Sequence, residues 1–156
     1  MRRDPSARGY DFVLSGDRKT VSTVLRLKSS KLKEVVELTS QAKDFVSSSG
    51  VRNGLLSCFI RHTTAALVLA NRREGVGELL TEVLHDAFEE VVEDKAGRIS
   101  REPEIVGAYL LSAVLGSSVI IPVQNGRCAM GDWQGLYLIE MSGPREREVA
   151  MTLVGL

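Results

Sequence analysis

Residues 54–71 read GLLSCFIRHTTAALVLAN, and this stretch does most to decide the fold. It is almost continuously apolar and contains β-branched residues, which is typical of strands. Its polar interruption at residues 61–63 predicts either two strands or one long strand that bends there. A run this apolar is typical of a strand buried on both faces, so we expect it at the centre of a sheet.

Two strands and a helix are predicted before this run. Over residues 20–28 the pattern alternates, and one face of the strand carries Val21, Thr23, Leu25 and Leu27. A second short strand is predicted over residues 33–38. Thr39 is a residue type that caps helices, so we expect a short helix that starts there and ends at Gly50. Its inner face carries Ala42, Phe45 and Val46.

Two helices are predicted after the run. Residues 74–92 carry apolar side chains at three- and four-residue steps: Val76, Leu79, Leu80, Val83, Leu84, Ala87, Phe88 and Val91. His85 falls on the opposite, polar face, where we expect a solvated side chain. Pro103 is well placed in the first turn of the next helix, which Gly116 closes.

The last third of the chain is predicted to form strands. Residues 118–123 are strand-like, and Asn125-Gly126 is the strongest hairpin signal in the chain. The returning strand, residues 128–141, carries glycines on both sides of Trp133, which predicts a bulge or a close approach of backbone. A final strand is expected over residues 149–154.

The element order β-β-α-β-β-α-α-β-β-β predicts an α+β fold of mostly antiparallel strands with about three helices. A chain of 156 residues is long enough for one domain and short for two. No linker or internal repeat interrupts it. We therefore expect one domain over residues 20–156, preceded by an N-terminal arm and lead-in over residues 1–19.

The charges of the chain balance, with 20 Lys and Arg against 20 Asp and Glu. This neutrality predicts no partnership with nucleic acid or an anionic membrane. No apolar run approaches the roughly 20 residues of a membrane helix, and no signal peptide is visible, so a cytoplasmic location is expected. Cys58 and Cys128 form no CxxC or zinc-type cluster and are expected as buried free thiols.

His62 is the histidine with a chemical context, because Arg61, Thr63 and Thr64 surround it at the end of an apolar strand. An imidazole titrates near neutral pH, so His62 is a candidate general acid or base, or an anion contact. The alternative is a histidine held in the strand junction by the threonine hydroxyls. No second His or Cys lies at ligand spacing, so no metal site is predicted.

Trp133 is the only tryptophan, and Asp132 and Gln134 flank it. Neighbours along a strand point to opposite faces, so either Trp133 or the Asp132–Gln134 pair faces a cleft. A core tryptophan is the simpler alternative. Arg127 follows the hairpin turn, and an arginine matches phosphate or carboxylate groups well, although scattered arginines are usually surface residues.

Five segments of the chain together resemble the YjbQ family, whose members are often labelled secondary thiamine-phosphate synthases. They are residues 54–66 (GLLSCFIRHTTAA), 115–123 (LGSSVIIPV), 125–127 (NGR), 131–134 (GDWQ) and 140–147 (EMSGPRER). The resemblance implies an α+β sandwich that assembles as a homotrimer, with sites in clefts close to subunit contacts. It also implies an activity that joins a pyrimidine diphosphate to a thiazole phosphate.

The chain departs from the family pattern at several polar positions. Ala70 and Asn71 stand where the family usually has Asn-Glu, and Tyr109 stands where it has a histidine. A further family histidine, before the middle loop, has no counterpart between residues 89 and 101. Of the family's histidine cluster only His62 remains, so acid–base chemistry would fall to it, with Asp132, Tyr109 or Glu140 as further candidates.

Two functions are consistent with these residues. The first is an enzyme for a phosphorylated or otherwise anionic small molecule, with His62 as the catalytic residue. Its ligand contacts would be Thr63, Thr64, Asn71, Arg127, Asp132, Trp133 and Gln134. The second is a non-catalytic homotrimer that binds a small anion or a protein partner through the same cleft. No known cofactor fingerprint is present, so the sequence leaves any cofactor unidentified.

Overall fold

The protein is built on two antiparallel sheets, seen in a computed structural model that describes residues 19–80, 82–84, 86 and 102–155. The five-stranded sheet has the order β1-β8-β3-β5-β6, and the three-stranded sheet has the order β2-β7-β4. Their strands are β1 (Lys19–Lys28), β2 (Glu34–Glu37), β3 (Gly54–Ile60), β4 (Ala65–Asn71), β5 (Ser118–Gln124), β6 (Arg127–Cys128), β7 (Gln134–Glu140) and β8 (Glu146–Gly155). The helices include α1 (Thr39–Ser49) and α2 (Pro103–Leu115). This arrangement confirms the predicted α+β class.

The main core lies between the two sheets and is closed at one side by α1. Each strand contributes alternate residues to it, because side chains alternate between faces along a strand. The core side chains include Leu56, Ile60, Leu67, Ile121, Leu136, Leu138, Met151 and Leu153, with Ala42 and Val46 from α1. Burial of one such leucine or isoleucine stabilises the fold by about 1.5–3 kcal/mol.

The run at residues 54–71 forms two strands that belong to different sheets. β3 lies between β8 and β5 in the five-stranded sheet, which confirms its central position, whereas β4 is an edge of the three-stranded sheet. The prediction that the run is buried on both faces is wrong for β3. Leu56 and Cys58 are buried, but Leu55 and Phe59 on the other face are exposed, because no described part of the chain covers that face.

The second face of the three-stranded sheet is covered by helices. Ala108 and Leu111 of α2 pack there with Tyr137 and Ile139 of β7. Residues 76–80, 82–84 and 86 are helical, as the sequence pattern predicts, and they add Leu80 and Leu84. Leu79 and Val83, expected on the same apolar face, are exposed instead. His85 and the predicted helical residues 87–92 lie outside the described residues.

The turn predictions hold at two places where the backbone requires a left-handed conformation. Gly50 has φ 73° after the last residue of α1. Asn125 and Gly126 have φ 52° and 75°, which forms the tight hairpin between β5 and β6.

The predicted N-cap is wrong. Leu38 is the N-cap, and the Thr39 hydroxyl instead accepts a hydrogen bond from the backbone N–H of Leu136, 3.0 Å away.

Several strand boundaries differ from the sequence prediction. The returning strand predicted over residues 128–141 divides into β6 and β7, which lie in different sheets, so residues 129–133 cross between them. The final strand is longer than predicted, while β2 is shorter. Of the predicted N-terminal arm, residues 1–18 are outside the described part, and Lys19 already belongs to β1. No helix within the described residues has the length and apolar character needed to cross a membrane.

Candidate functional site

His62 lies at the corner where the chain leaves β3 for the three-stranded sheet. The pairing of β3 with β8 ends at Ile60 opposite Val149, so Glu148 lies one residue beyond the last pair. The backbone N–H of Glu148 donates a hydrogen bond to His62 Nε2 at 3.1 Å. The imidazole therefore accepts the β8 hydrogen bond for which β3 no longer supplies a backbone partner.

The electrostatic surroundings of His62 favour its neutral form. Burial lowers the pKa of His62, and the positive charges of Arg147 and Arg61 lower it further. Glu148 and Glu140 act in the opposite direction but do not reverse the shift. Because Nε2 must be unprotonated to accept the Glu148 N–H, the hydrogen bond and the lowered pKa are consistent with each other.

A buried ion pair lies next to this corner. The Arg147 guanidinium donates to both carboxylate oxygens of Glu140, from Nε at 2.7 Å and from Nη2 at 2.5 Å. Nη2 also donates to the Thr64 hydroxyl at 2.8 Å, and the Ser29 hydroxyl donates to Glu140 at 2.9 Å. Glu140 and Arg147 are only 0% and 3% exposed. Thr64 is thus bound inside the protein, and its predicted contact with a ligand stays a prediction.

Glu140 is held as a carboxylate by its hydrogen bonds. Burial alone raises the pKa of a carboxyl group, but the hydrogen bonds from Arg147, the Ser142 backbone and Ser29 together lower the pKa of Glu140 below its ordinary value. Within the described residues no buried side-chain oxygen or nitrogen lacks a partner. The Glu140 carboxylate is therefore suited to joining the two sheets, and it has no proton to offer as a general acid near neutral pH.

Four of the predicted ligand contacts gather at the opposite end of β4. Asn71 is the last residue of β4 and lies opposite Gln134, the first residue of β7. Gln134 folds back on the preceding turn, where its Oε1 accepts the Gly131 N–H at 2.9 Å. Trp133 is 64% exposed, which excludes the core tryptophan, and Asp132 is exposed beside it.

An open cavity of about 390 Å³ lies at this same end of the three-stranded sheet. We call it the α1 cavity, and it is lined by Glu37, Thr39, Ser40, Lys43 and Arg72. Its walls come from the end of β2, the first turns of α1 and the residue after β4. The backbone N–H of Arg72 donates to the Trp133 carbonyl at 2.8 Å, so the exposed indole belongs to the residue next to this wall.

Arg72 is held in the cavity wall by two features. Its Nε donates to Glu37 Oε1 at 2.8 Å. Its stem lies across Gly135, where a Cβ would come within 2.7 Å of Arg72 Cγ and 2.9 Å of the Thr39 hydroxyl. The close approach of backbone predicted from the glycines around Trp133 is therefore real at Gly135, since a side chain there would displace Arg72 or Thr39.

Lys43 supplies the second positive charge of the α1 cavity. It forms no ion pair with any residue that the structure describes. Its charge partly offsets the effect of burial, which raises the pKa of the Cys128 thiol. Cys58 is fully buried, and burial raises its pKa to about 12, so this thiol stays protonated at neutral pH.

The predicted site residues thus fall into two groups within one chain. His62, Thr63 and Thr64 precede β4, whereas Asn71, Asp132, Trp133 and Gln134 are at its far end. Six residues of β4 lie between Thr64 and Asn71, so the groups are roughly 20 Å apart at the usual rise per residue. Arg127 is exposed on β6 and does not line the α1 cavity. The expected shared pocket of His62 and the Trp133–Gln134 pair is therefore not formed within a single chain.

The sequence reasoning missed the residues that line the cavity. Arg72 directly follows Asn71, and Glu37 lies within a short predicted strand, but neither belongs to a motif. They meet only because β2 and β4 both pair with β7, which the sequence pattern does not reveal. Within the described residues, no group of three or more His, Cys, Asp or Glu side chains is arranged to hold a metal ion.

Comparison with known proteins finds relatives that cover most of the chain. A family model described as UPF0047 protein YjbQ-like matches residues 23–156. A UPF0047 protein of Archaeoglobus fulgidus is 36% identical over 125 residues, which cover 80% of this chain and 94% of that protein. Another, from Methanothermobacter thermautotrophicus, is 30% identical and covers 84% of this chain and 90% of its own.

Solved structures share the fold. A YbjQ-like protein of unknown function from Sulfolobus solfataricus superimposes with a TM-score of 0.81 at 28% identity, over 90% of this chain and 100% of that one. A hypothetical protein from Aeropyrum pernix gives a TM-score of 0.76 at 28% identity, over 87% of this chain and 99% of that one. These likenesses support the architecture of the fold.

Proposed function

The chain belongs to the UPF0047 family of YjbQ-like proteins, and from that premise we propose that it binds a small anionic or phosphorylated molecule in the α1 cavity. The observation that carries this proposal is the placement of two cationic side chains, Arg72 and Lys43, around one open cavity. Among the described residues that line the cavity, only Glu37 carries a carboxylate.

The cations differ in what they offer a ligand. The single hydrogen bond of the Arg72 side chain within the described residues uses Nε, so the two terminal amino groups can face a ligand. A guanidinium presents paired donors that match carboxylate and phosphate oxygens. Lys43 acts as a point charge. The exposed ring of Trp133, whose backbone carbonyl accepts the Arg72 N–H, offers an apolar surface for the rest of the molecule.

Titration of the purified protein with inorganic phosphate tests the proposal, with the fluorescence of Trp133, the only tryptophan, as the signal. We expect a saturable change in the wild type. Lys43→Ala is expected to weaken binding at least about tenfold, because a charge-assisted contact is worth roughly 1.5–3 kcal/mol. Lys33→Ala removes an exposed lysine outside the cavity lining and is the matched control. Equal affinities in all three proteins would contradict the proposal.

A second candidate function, an enzyme that uses His62 as general acid or base, is favoured by the neutral and partly exposed imidazole. The resemblance supports a transfer reaction of the thiamine-phosphate synthase type. Since His62 and the α1 cavity lie at opposite ends of β4, a reaction that uses both would take them from different subunits. Thiamine-phosphate formation by the wild type, lost in His62→Ala, would support this function, whereas an inactive wild type would favour the non-catalytic binding function.

Self-association is part of the proposal. Five apolar side chains are exposed on the outer face of the five-stranded sheet: Val24, Leu55, Phe59, Ile120 and Val154. Cross-strand register places them on one face, since residues opposite each other on neighbouring strands point the same way. We propose that this face packs against other copies of the chain, and the family resemblance supports a homotrimer.

A further inference from the structure

The lining of the α1 cavity carries a net single positive charge, because the Glu37 carboxylate offsets one of the two cations. We propose that Glu37 is a specificity-determining residue that lowers the preference of the cavity for doubly charged anions over singly charged ones, such as carboxylates and phosphodiesters. The inference rests on the proposed function, since it concerns which anion the same cavity accepts. Glu37 belongs to no motif of the sequence, and its role follows from its position.

The position of Glu37 is fixed by the three-stranded sheet. Glu37 pairs with Tyr137 on one side of β7, and Asn71, the residue before Arg72, pairs with Gln134 on the other. The two strand ends therefore bring the carboxylate to the guanidinium across β7. The side chains of Arg72 and Glu37 are 39% and 41% exposed, so both reach the open cavity.

Glu37 has two effects on a bound anion. It accepts a hydrogen bond from Nε of Arg72 and thereby orients the terminal amino groups toward the cavity. It also repels any negative charge placed there, and this repulsion grows in proportion to the charge of the ligand. Two unit charges about 4 Å apart in water interact strongly enough to change a binding constant about fivefold. A doubly charged anion is therefore penalised about 25-fold, and a singly charged one about fivefold.

Two esters of the same acid separate the effect of charge from that of shape. Dimethyl phosphate has one negative charge at pH 8, whereas methyl phosphate has two. We expect the wild type to bind both esters, and the ratio of the two affinities is the reference for the variants. The measurement is calorimetry on the full chain at low salt, where exposed charges are least screened.

Glu37→Gln keeps an oxygen that can accept the Arg72 hydrogen bond but removes the charge. It is expected to strengthen the binding of methyl phosphate about 25-fold and that of dimethyl phosphate about fivefold, so that their ratio shifts about fivefold. Glu146→Gln is the matched control, because it removes the same charge from the start of β8, outside the cavity lining, and should leave the ratio unchanged. Glu37→Ala also removes the orienting oxygen and should strengthen binding less than Glu37→Gln.

The outcomes distinguish this inference from the proposed function. If the wild type binds both esters and Lys43→Ala weakens both, but Glu37→Gln leaves their ratio unchanged, the selectivity assigned to Glu37 is wrong while the anion site stands. A ratio that shifts toward dimethyl phosphate in Glu37→Gln also overturns the inference. If the wild type binds neither ester, the proposed function fails and the inference fails with it.

Discussion

His62 has a structural role at the scale of the single residue. Its Nε2 accepts the Glu148 N–H only when that nitrogen is unprotonated, and burial lowers the pKa of His62 from its ordinary 6.5. When the pH falls, the unfolded chain therefore takes up this proton before the folded protein does. The contribution of His62 to stability is complete above about pH 6.5 and is lost as the pH falls through the lower folded pKa.

Exchange of His62 for glutamine tests this role. His62→Gln keeps an oxygen that can accept the Glu148 N–H but does not titrate, so its free energy of unfolding should vary less between pH 7.5 and pH 5.5 than that of the wild type. His62→Ala should cost about 1 kcal/mol at pH 7.5, the usual net value of one hydrogen bond. Urea unfolding at both pH values measures these differences.

The chain's other histidine supplies the control for that experiment. His85→Gln removes the second imidazole and should retain the wild-type pH dependence. If His85→Gln flattens the curve and His62→Gln does not, the assignment to His62 is wrong. The sequence identified His62 as unusual because of its neighbours. It did not identify Glu148 as its partner, since 86 residues separate the two and only the folding of the sheet joins them.

At the scale of the elements, side chains complete the hydrogen bonding where strands end. The β2–β7 pairing ends at Glu37, and the Thr39 hydroxyl then accepts the Leu136 N–H. His62 does the same for β8 beyond the end of β3. This explains why the N-cap prediction failed. The local sequence favoured a cap at Thr39, but the hydroxyl is used by a strand almost 100 residues away, as tertiary structure often overrides local preference.

The pair Glu140–Arg147 joins β7 of one sheet to β8 of the other and should be the most sensitive polar contact in the fold. Glu140→Gln leaves the guanidinium buried without a counter-charge, so we expect a loss of about 3–5 kcal/mol in the free energy of unfolding. The wild-type contribution is present above about pH 4.5 and is lost as the pH falls through the lowered pKa of Glu140. Urea midpoints of wild type and variant measure the loss.

A double variant is the control for this pair. Glu140→Leu combined with Arg147→Met removes both charges and keeps similar volumes, so it should cost less than Glu140→Gln alone. A larger loss in the double variant would show that the charges themselves stabilise the sandwich.

At the scale of the whole molecule, the sequence predicted the class of fold and most elements, because apolar periodicity reports directly on buried faces. It did not predict that residues 54–71 divide between two sheets. Nor did it predict that residues 128–141 divide into β6 and β7, which lie in different sheets. Both depend on which strands pair, and pairing is decided by contacts distant in the sequence. The same limit applies to the α1 cavity, whose lining residues come from three elements.

The outer face of the five-stranded sheet carries the last prediction. Ile120 is 62% exposed on that face and Leu32 is 63% exposed in the segment between β1 and β2, so the two offer equal apolar surface to solvent. Light scattering after size exclusion should give the wild type three times the 17.1 kDa mass of the chain. Ile120→Asp places a charge in the proposed contact and should reduce this mass to that of one chain. Leu32→Asp should leave it unchanged. A wild type that elutes as a single chain, or an Ile120→Asp variant that keeps the wild-type mass, would mean that this face is not the contact between copies.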